Sequence, residues 1–460
     1  MRRGLLLLLL LAGCAAPATT VKPPVSAPAP TPVAPPPPPV PAPQPVSPPP
    51  APQAAPMAPI DNAANPIAAS FARWKAGFVE KAVAKGFDRG FVEAQLAGVE
   101  PSSAILNQDT RQPEFSKPIG DYVRTAASPV RAAEGIRRKN AEPHMAAIEQ
   151  KYGVPAEIVV AIWADESGFG KVQGNHDVIQ AFATLAFEGR RRDWAEAQLL
   201  AAFTMIRDRG VPREKLKGSW AGAMGQTQFI PEAYLRLGQD GDGDGKVDIW
   251  SSDADALASA ANHLAQEGWR RGESWAVEVI PPPGFDYSVS ESEKHPPAWW
   301  QAKGIRRADG RSWSAADQVS EAVLLVPAGA NGPAFLAFPN HFVIRRYNNS
   351  IAYALSIGLL ADEMRGEPPL ARAWPQETPL SRGQRTDAQT ALLSLGYPVG
   401  KPDGLIGAGS RDAVRQWQKK NGLTADGYLT PALIEKLKAE AAAMKPAAPA
   451  QAPVKQPSGR

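Results

Sequence analysis

A single cysteine, Cys14, stands in 460 residues, and it precedes every stretch with the composition of a folded domain. The folded part therefore has no disulfide and no thiol nucleophile, whatever the redox state of its compartment. Histidine is nearly as scarce. His144, His176, His263, His295 and His341 stand far apart, with no HExxH pair to set two rings on one helical face, so metal-assisted hydrolysis finds no constellation. The glycines between Asp240 and Gly245 fit neither a phosphate-binding loop nor a dinucleotide fingerprint, since neither register matches and Lys246 is followed by valine. Charge is close to balance, 50 basic against 46 acidic side chains for a net of +4, and no nucleic-acid partner is expected. The leucine run Leu5–Leu11 is too short to span a bilayer.

Proline, by contrast, is abundant: 48 residues, concentrated near the start. Arg2 and Arg3 followed by the leucine run have the form of an export signal. Leu11-Ala12-Gly13-Cys14 resembles a bacterial lipobox, which would make Cys14 the lipidated first residue of the mature protein; an ordinary signal with an incidental cysteine is the alternative. Ala15, where an aspartate would signal inner-membrane retention, favours the periplasmic face of the outer membrane. Pro17 to Ile60 has almost no charge or aromatic residue, cannot bury a core and should sample polyproline II. At about 3.1 Å per residue, roughly forty such residues reach on the order of 120 Å, a spacer between an anchor and the folded chain; a ligand for a polyproline-binding domain reads the same way.

The stretch from Val154 to Gly170 predicts a helix of about three turns, with Pro155 at its start and Gly168/Gly170 at its stop. Ile158, Ile162 and Glu166 fall at i, i+4 and i+8, flanked by Val159 and Trp163, so Glu166 continues an apolar face that Asp165 avoids. Apolar surroundings and the unpaired carbonyls of a last turn both raise a carboxyl pKa. A carboxylic acid still protonated near neutrality is what a general acid for glycosidic cleavage must be. A frayed, solvated end-of-helix glutamate has the same spacing.

Further on, Ala221, Gly222, Ala223 and Gly225 strip one helical surface of bulk where Ser219, Gln226 and Gln228 supply hydrogen-bonding groups; a sugar ring or a neighbouring helix could lie there. Asp240, Asp242, Asp244, Gly245 and the Lys246 carbonyl match the first half of an EF-hand loop, but the twelfth position is Ser251 instead of glutamate, which leaves a solvated turn as the alternative. Helices are expected within Ala68–Gly98 (two, broken near Gly86), Glu134–Tyr152, Asp193–Arg209 and Asp255–Trp269, and strands at Ala322–Val326, Ala334–Phe338 and Phe342–Ile344.

Taken in order, IWADESGFG (Ile162–Gly170), Gly218–Tyr234, Asp240–Trp250, Asp255–Leu264 and Arg346–Leu355 resemble the motifs of the membrane-bound lytic murein transglycosylase B family, and Gln112-Pro113-Glu114-Phe115 resembles its aromatic-rich entry segment. Leu380–Ala439 resembles the small helical peptidoglycan-binding domain through Asp403-Gly404, Gly407, Ala413-Val414, Trp417-Gln418, Gly422-Leu423 and Asp426-Gly427. The resemblance implies a mainly α, lysozyme-like (α+β) catalytic domain with a small β element and a three-helix C-terminal domain. The expected boundaries are 1–14 signal, 15–67 linker, 68–366 catalytic, 367–379 linker, 380–440 wall-binding and 441–460 tail.

It also implies roles. Glu166 is the single acid/base; Ser219, Gln228, Tyr347, Asn348 and Tyr353 contact glycan, the serine near the N-acetyl group. Asp240, Asp242, Asp244 and Lys246, closed by Asp255, hold a weak structural Ca²⁺, with no cofactor required for chemistry. The partners implied are peptidoglycan strands and, through Cys14, the membrane. The activity implied is cleavage of the MurNAc–GlcNAc bond to a 1,6-anhydromuramic end. A lysozyme-like hydrolase and a noncatalytic wall tether are the alternatives.

Overall fold

The computed structural model describes residues 66–109 and 117–444. The signal and lipobox with Cys14, the proline-rich spacer, the Gln112–Phe115 segment and the last residues of the tail lie outside them.

Three apolar clusters build the larger part of the chain. The first forms around the central helix Ala156–Ser167, nine of whose twelve residues are buried. Such a helix, apolar all round, belongs in an interior, not at a surface. It packs between Pro129–Ala141, Asp253–Gln266 and Ile351–Arg365. The second cluster joins the antiparallel pair Val178–Glu188 and Arg192–Arg209 to the N-terminal helices Pro66–Ala84 and Arg89–Gln95, which part at Gly86 (φ +88°) as the sequence predicts. Tyr347 packs against both clusters, so the seam between them runs past it.

The strands, in chain order, are β1 (His176–Asp177), β2 (Lys217–Gly218), β3 (Ala276–Ile280), β4 (Lys294–His295), β5 (Arg306–Arg307), β6 (Ala322–Leu325) and β7 (Ala334–Ala337). β1 and β2 form a short ribbon, and the rest an antiparallel sheet of order β4-β6-β7-β3-β5. Period-two alternation decides its faces. Val323, Leu325, Phe335 and Ala337 meet the helices, whereas Ala322, Leu324, Ala334 and Leu336 meet a third cluster around Trp300, Trp313 and Tyr287.

Three expectations are corrected. Glu134–Tyr152 is two helices, Pro129–Ala141 and Met145–Tyr152, because Pro143 forces Glu142 out of the helical region (ψ 110°). Phe342–Ile344, read as a strand for its branched and aromatic residues, lies inside the helix Pro339–Tyr347, which Pro339 initiates; of the strands among the described residues that the sequence did not signal, β3 is the longest. Ser219–Ile230 is a run of turns and isolated bridges, and helix begins only at Pro231.

The C-terminal helices Arg382–Ser394, Ala408–Lys420 and Pro431–Met444 enclose their own core around Leu392, Val414, Trp417 and Leu437. Two buried glutamines hold its Asp-Gly turns in the same way. Gln389 Oε1 accepts from the Asp403 and Gly404 amides at 3.0 and 2.7 Å, and Gln418 Oε1 accepts from Gly427 at 2.7 Å. This unit is docked on the larger one. Arg411 donates to both Glu291 oxygens at 2.7 and 2.6 Å, and Arg415, 3% exposed, adds a third contact at 3.2 Å. Glu291 itself sits at φ +62°.

His341 is fully buried, its ring 6.2 Å from that of Trp275, and neither ring nitrogen has a hydrogen-bond partner among the described residues. Burial, helped by Arg345, pushes its pKa down to about 3 from an ordinary 6.5. The unfolded chain takes up this proton below about pH 6.5 while the folded chain refuses it, so stability falls as pH falls from 6.5 towards 3. By pH 4.5 the loss from this one site should be about 2 to 3 kcal/mol. His341→Leu should flatten the dependence of melting temperature on pH over that window; an unchanged slope would place its origin elsewhere.

Candidate active site

The central helix stops within one residue of its candidate acid. Gly168 takes the left-handed conformation (φ 57°) that caps the helix, and Phe169, though not glycine, follows it there at φ 62°. Its amide bonds the Trp163 carbonyl at 3.2 Å, and Ser167 Oγ accepts from the Gly170 amide at 2.9 Å. Gly170 must be glycine: at φ +80° a Cβ would lie 2.4 Å from Gln226 Oε1. That oxygen accepts from Trp163 Nε1 at 2.6 Å, tying the 219–230 segment to the helix end.

Glu166 points into this seam. Tyr353 Oη donates to Glu166 Oε1 at 2.6 Å. Burial, opposed by the Tyr353 hydrogen bond and helped by the negative charge of Asp165, pushes the Glu166 pKa up to about 8. The carboxyl is thus mostly protonated at neutral pH. Keeping a carboxyl so placed costs on the order of 3 kcal/mol at pH 7. Burying Ile158, Val159, Val160 and Ile162 contributes roughly 1.5–3 kcal/mol each, so the helix tolerates the acid at its end.

Asp165 does turn away from Tyr353, but not into solvent. Its side chain is 15% exposed and meets Arg131 Nη1 at 3.3 Å, while the same guanidinium donates to the Ala164 carbonyl. Burial still raises its pKa against the pull of Arg131.

The structure assembles the other expected residues unevenly. Tyr353, 2% exposed, is the partner of Glu166 and not an open platform. Tyr347 stacks on it, ring centres 6.5 Å apart and planes 18° off parallel, and donates its hydroxyl to the Thr227 carbonyl at 2.7 Å. Gln228 sits at φ 50° and donates to the Gln173 and Gly225 carbonyls at 3.2 and 2.9 Å. Ser219 lies in a turn closed by its amide on the Ala223 carbonyl at 2.8 Å, its Oγ accepting from the Ala223 amide at 3.2 Å. The small residues serve that turn: a Cβ on Gly222 would strike Phe182 at 2.3 Å. Asn348, just past the helix Pro339–Tyr347, is exposed. Gln226, expected from the sequence as a hydrogen-bonding group of this segment, and Trp163, expected on the flank of Glu166, are joined by His263, to which sequence reasoning gave no role.

In the acidic loop, carboxylate oxygens of Asp240, Asp242 and Asp244 converge within 4.8 Å. Asp240 accepts from the Gly243 and Gly245 amides at 2.6 and 2.8 Å, and Lys246 donates its own amide to Asp244 at 2.8 Å. Asp255, 1% exposed, lies beneath, its oxygens accepting from Gly241 and Asp248 at 2.8 and 2.6 Å. Converging hard oxygens fit a cation such as Ca²⁺.

A helical domain with a buried glutamate of raised pKa at a helix end, flanked by a tyrosine pair and a turn-rich polar segment, defines a lysozyme-like glycan-cleaving enzyme. Comparison with known proteins agrees. Residues 70–362 match the family described as Transglycosylase SLT domain, and residues 381–437 the Putative peptidoglycan binding domain. The chain is 31% identical over 316 residues to membrane-bound lytic murein transglycosylase B of Escherichia coli (strain K12), covering 65% of this chain and 82% of that protein. Among solved structures, SltB3 from Pseudomonas aeruginosa in complex with NAG-anhNAM-pentapeptide has a TM-score of 0.76 and 44% identity, covering 80% of this chain and 99% of that one. Escherichia coli Slt35 in complex with calcium has a TM-score of 0.56 and 30% identity, covering 63% and 92%. The chain belongs to the lytic murein transglycosylase B family of SLT-domain enzymes and acts on peptidoglycan.

Because the Tyr353 hydrogen bond favours the ionised form of Glu166, removing it should raise the Glu166 pKa further. A hydrogen bond to a charged group is worth ~1.5–3 kcal/mol, so in Tyr353→Phe the alkaline limb of the rate profile should move up by about one unit or more. The plateau rate should fall as the acid loses its orientation. A limb that stays in place would show that the limb reports another group.

Proposed function

We propose that Glu166 alone performs both proton transfers in a cleavage that uses no water. Protonated, it gives its proton to the oxygen linking MurNAc to GlcNAc as the C1–O bond breaks. The substrate's N-acetyl oxygen stabilises the electron-poor C1. The Glu166 carboxylate then removes the proton of the C6 hydroxyl, whose oxygen bonds C1 to give the 1,6-anhydro end. The observation that carries this reading is the partnering of the two adjacent carboxyls: Glu166 is neutral and held by Tyr353, whereas Asp165 is held by Arg131. Ordinary glycosidases set a second carboxylate to work as nucleophile or base, and Asp165 is turned away for that task. Ser219, Gln228, Tyr347 and Asn348 are assigned to the glycan, and Tyr353 to the acid itself.

In the same reading, Cys14 carries a lipid anchor at the periplasmic face of the outer membrane and the proline-rich stretch is the spacer. The family relative is named as membrane-bound, and among the described residues no helix is long and apolar enough to cross a membrane. The segments 68–366 and 380–440 are taken as the catalytic and wall-binding domains. Asp240, Asp242, Asp244 and the Lys246 carbonyl would hold Ca²⁺, which would supply a fixed loop shape and no chemistry; Asp255, with lone pairs to spare, closes the ring.

Mass spectrometry of digested sacculi tests the chemistry: anhydromuropeptides support it, reducing ends indicate a hydrolase, and no products a tether. Glu166→Gln should abolish anhydro products, a loss at or above the 10²–10⁴-fold range of positioned acid–base catalysis. The same variant should also be more stable. The folded Glu166 keeps its proton up to about pH 8 whereas an unfolded glutamate loses it near 4.5, so rising pH across that window favours unfolding of the parent only. The gain in melting temperature should grow from pH 5 to 8.

Millimolar Ca²⁺ should raise the melting temperature more than Mg²⁺ does, since a flexible ring of carboxylate and carbonyl oxygens suits the larger ion. Asp242→Ala should remove the increment; a response that survives it would leave the loop a plain turn.

A further inference from the structure

Behind the tyrosine pair stands a ring with no part in the chemistry described so far. His263, on the helix Asp253–Gln266, lies with its ring centre 4.6 Å from that of Tyr347, nearer than the other two rings against it, Phe229 at 5.9 Å and Tyr353 at 6.5 Å. It is 9% exposed, packs edge-on against Phe229 at 5.7 Å, and its Nδ1 has no hydrogen-bond partner among the described residues. Burial holds it neutral, with a pKa of about 4; Glu267 pulls upward and Arg236 downward, and Tyr347 faces it across the stack. A histidine that bonds nothing through one nitrogen and carries no charge acts here through its shape. That shape ends a continuous series of contacts: His263 on Tyr347, Tyr347 on Tyr353, and Tyr353 by its hydroxyl on Glu166 at 2.6 Å.

We propose that His263 is a positioning residue for the cleavage reaction, its ring holding Tyr347 against Tyr353 and thereby fixing the hydrogen bond that orients Glu166. The Tyr347 hydroxyl is held by the Thr227 carbonyl. Its ring face is set by what stands behind it. Without the imidazole a void opens on that side, the ring relaxes towards it, and Tyr353 loses the surface it leans on. Tyr353 then donates less well to Glu166. The inference rests on Glu166 being the acid.

The test is steady-state kinetics on soluble muropeptides across pH, with the full chain. In His263→Ala, kcat should fall roughly 5- to 20-fold with KM within about twofold, and the alkaline limb should move up by about half a unit, in the direction of Tyr353→Phe. In the Tyr353→Phe background the same substitution should add almost nothing to either change, because its route to Glu166 is already cut. His263→Phe, which restores a ring, should recover most of the rate, and His263→Gln, of similar size but without a ring, should not. These two also serve if the alanine variant folds poorly, and melting temperatures are measured for all. A variant set that loses thermal stability while keeping limb and kcat would overturn the proposal. So would a His263→Ala shift that persists undiminished without the Tyr353 hydroxyl. Absence of any limb near pH 8 in the parent would instead sink the assignment of Glu166.

Discussion

A carboxyl that must keep its proton at neutral pH has to be taken out of water, and one that must later give that proton up has to stay in reach of a hydrogen-bond donor. Glu166 meets both demands through the Tyr353 hydroxyl at 2.6 Å. Burial alone would leave the ionised product of proton transfer stranded, since an unpaired buried charge is costly. Tyr353 receives it. The tyrosine is itself buried and its own pKa is raised well above the usual phenol range, so it remains a donor throughout. Much of the domain can be read as the support of this one contact: the fully packed central helix, the left-handed stop at Gly168 and Phe169, and the helix Ile351–Arg365 that carries the tyrosine across from the other side.

The second charge is handled by the opposite strategy. Asp165 is adjacent in sequence and also withdrawn from solvent, yet an arginine on the neighbouring helix meets it. Two neighbouring carboxyls thereby take different partners, one a phenol and one a guanidinium; burial raises both pKa values, and Asp165 adds to the rise at Glu166.

How much of this was legible in the sequence depends on the range of the determinant. Glu166 was legible because helical phase alone puts it in register with Ile158 and Ile162, and a glycine follows two residues later. The partner of Asp165 was not, since Arg131 is 34 residues upstream and nothing local distinguishes it from the arginines nearby. The turns between Ser219 and Gln228 were misread as a helical surface because small residues suit both. What excludes a helix is the left-handed backbone at Gly222, Gly225 and Gln228, and the crowding that demands glycine comes from Phe182 and Ile249, distant in sequence. The acidic loop was legible through its alternating aspartates, whereas the depth of Asp255 beneath it emerged only with the fold.

The docking of the C-terminal unit has a consequence for how cuts are spaced along a polymer. Were that unit hung on a free tether, a strand gripped at one point could be cleaved anywhere the tether reached, and tethering would act through local concentration alone. Glu291 belongs to the sheet-bearing part of the catalytic body, and it closes on Arg411 and on a nearly solvent-free Arg415. Undocking the unit would break all three of these hydrogen bonds together. In the proposed function, where the C-terminal unit grips a strand and Glu166 cuts it, grip and blade are then held together like the fixed jaws of a gauge. On that reading the distance between the point of hold and the point of scission is a property of the fold, and a strand held in one place is offered to Glu166 at one register.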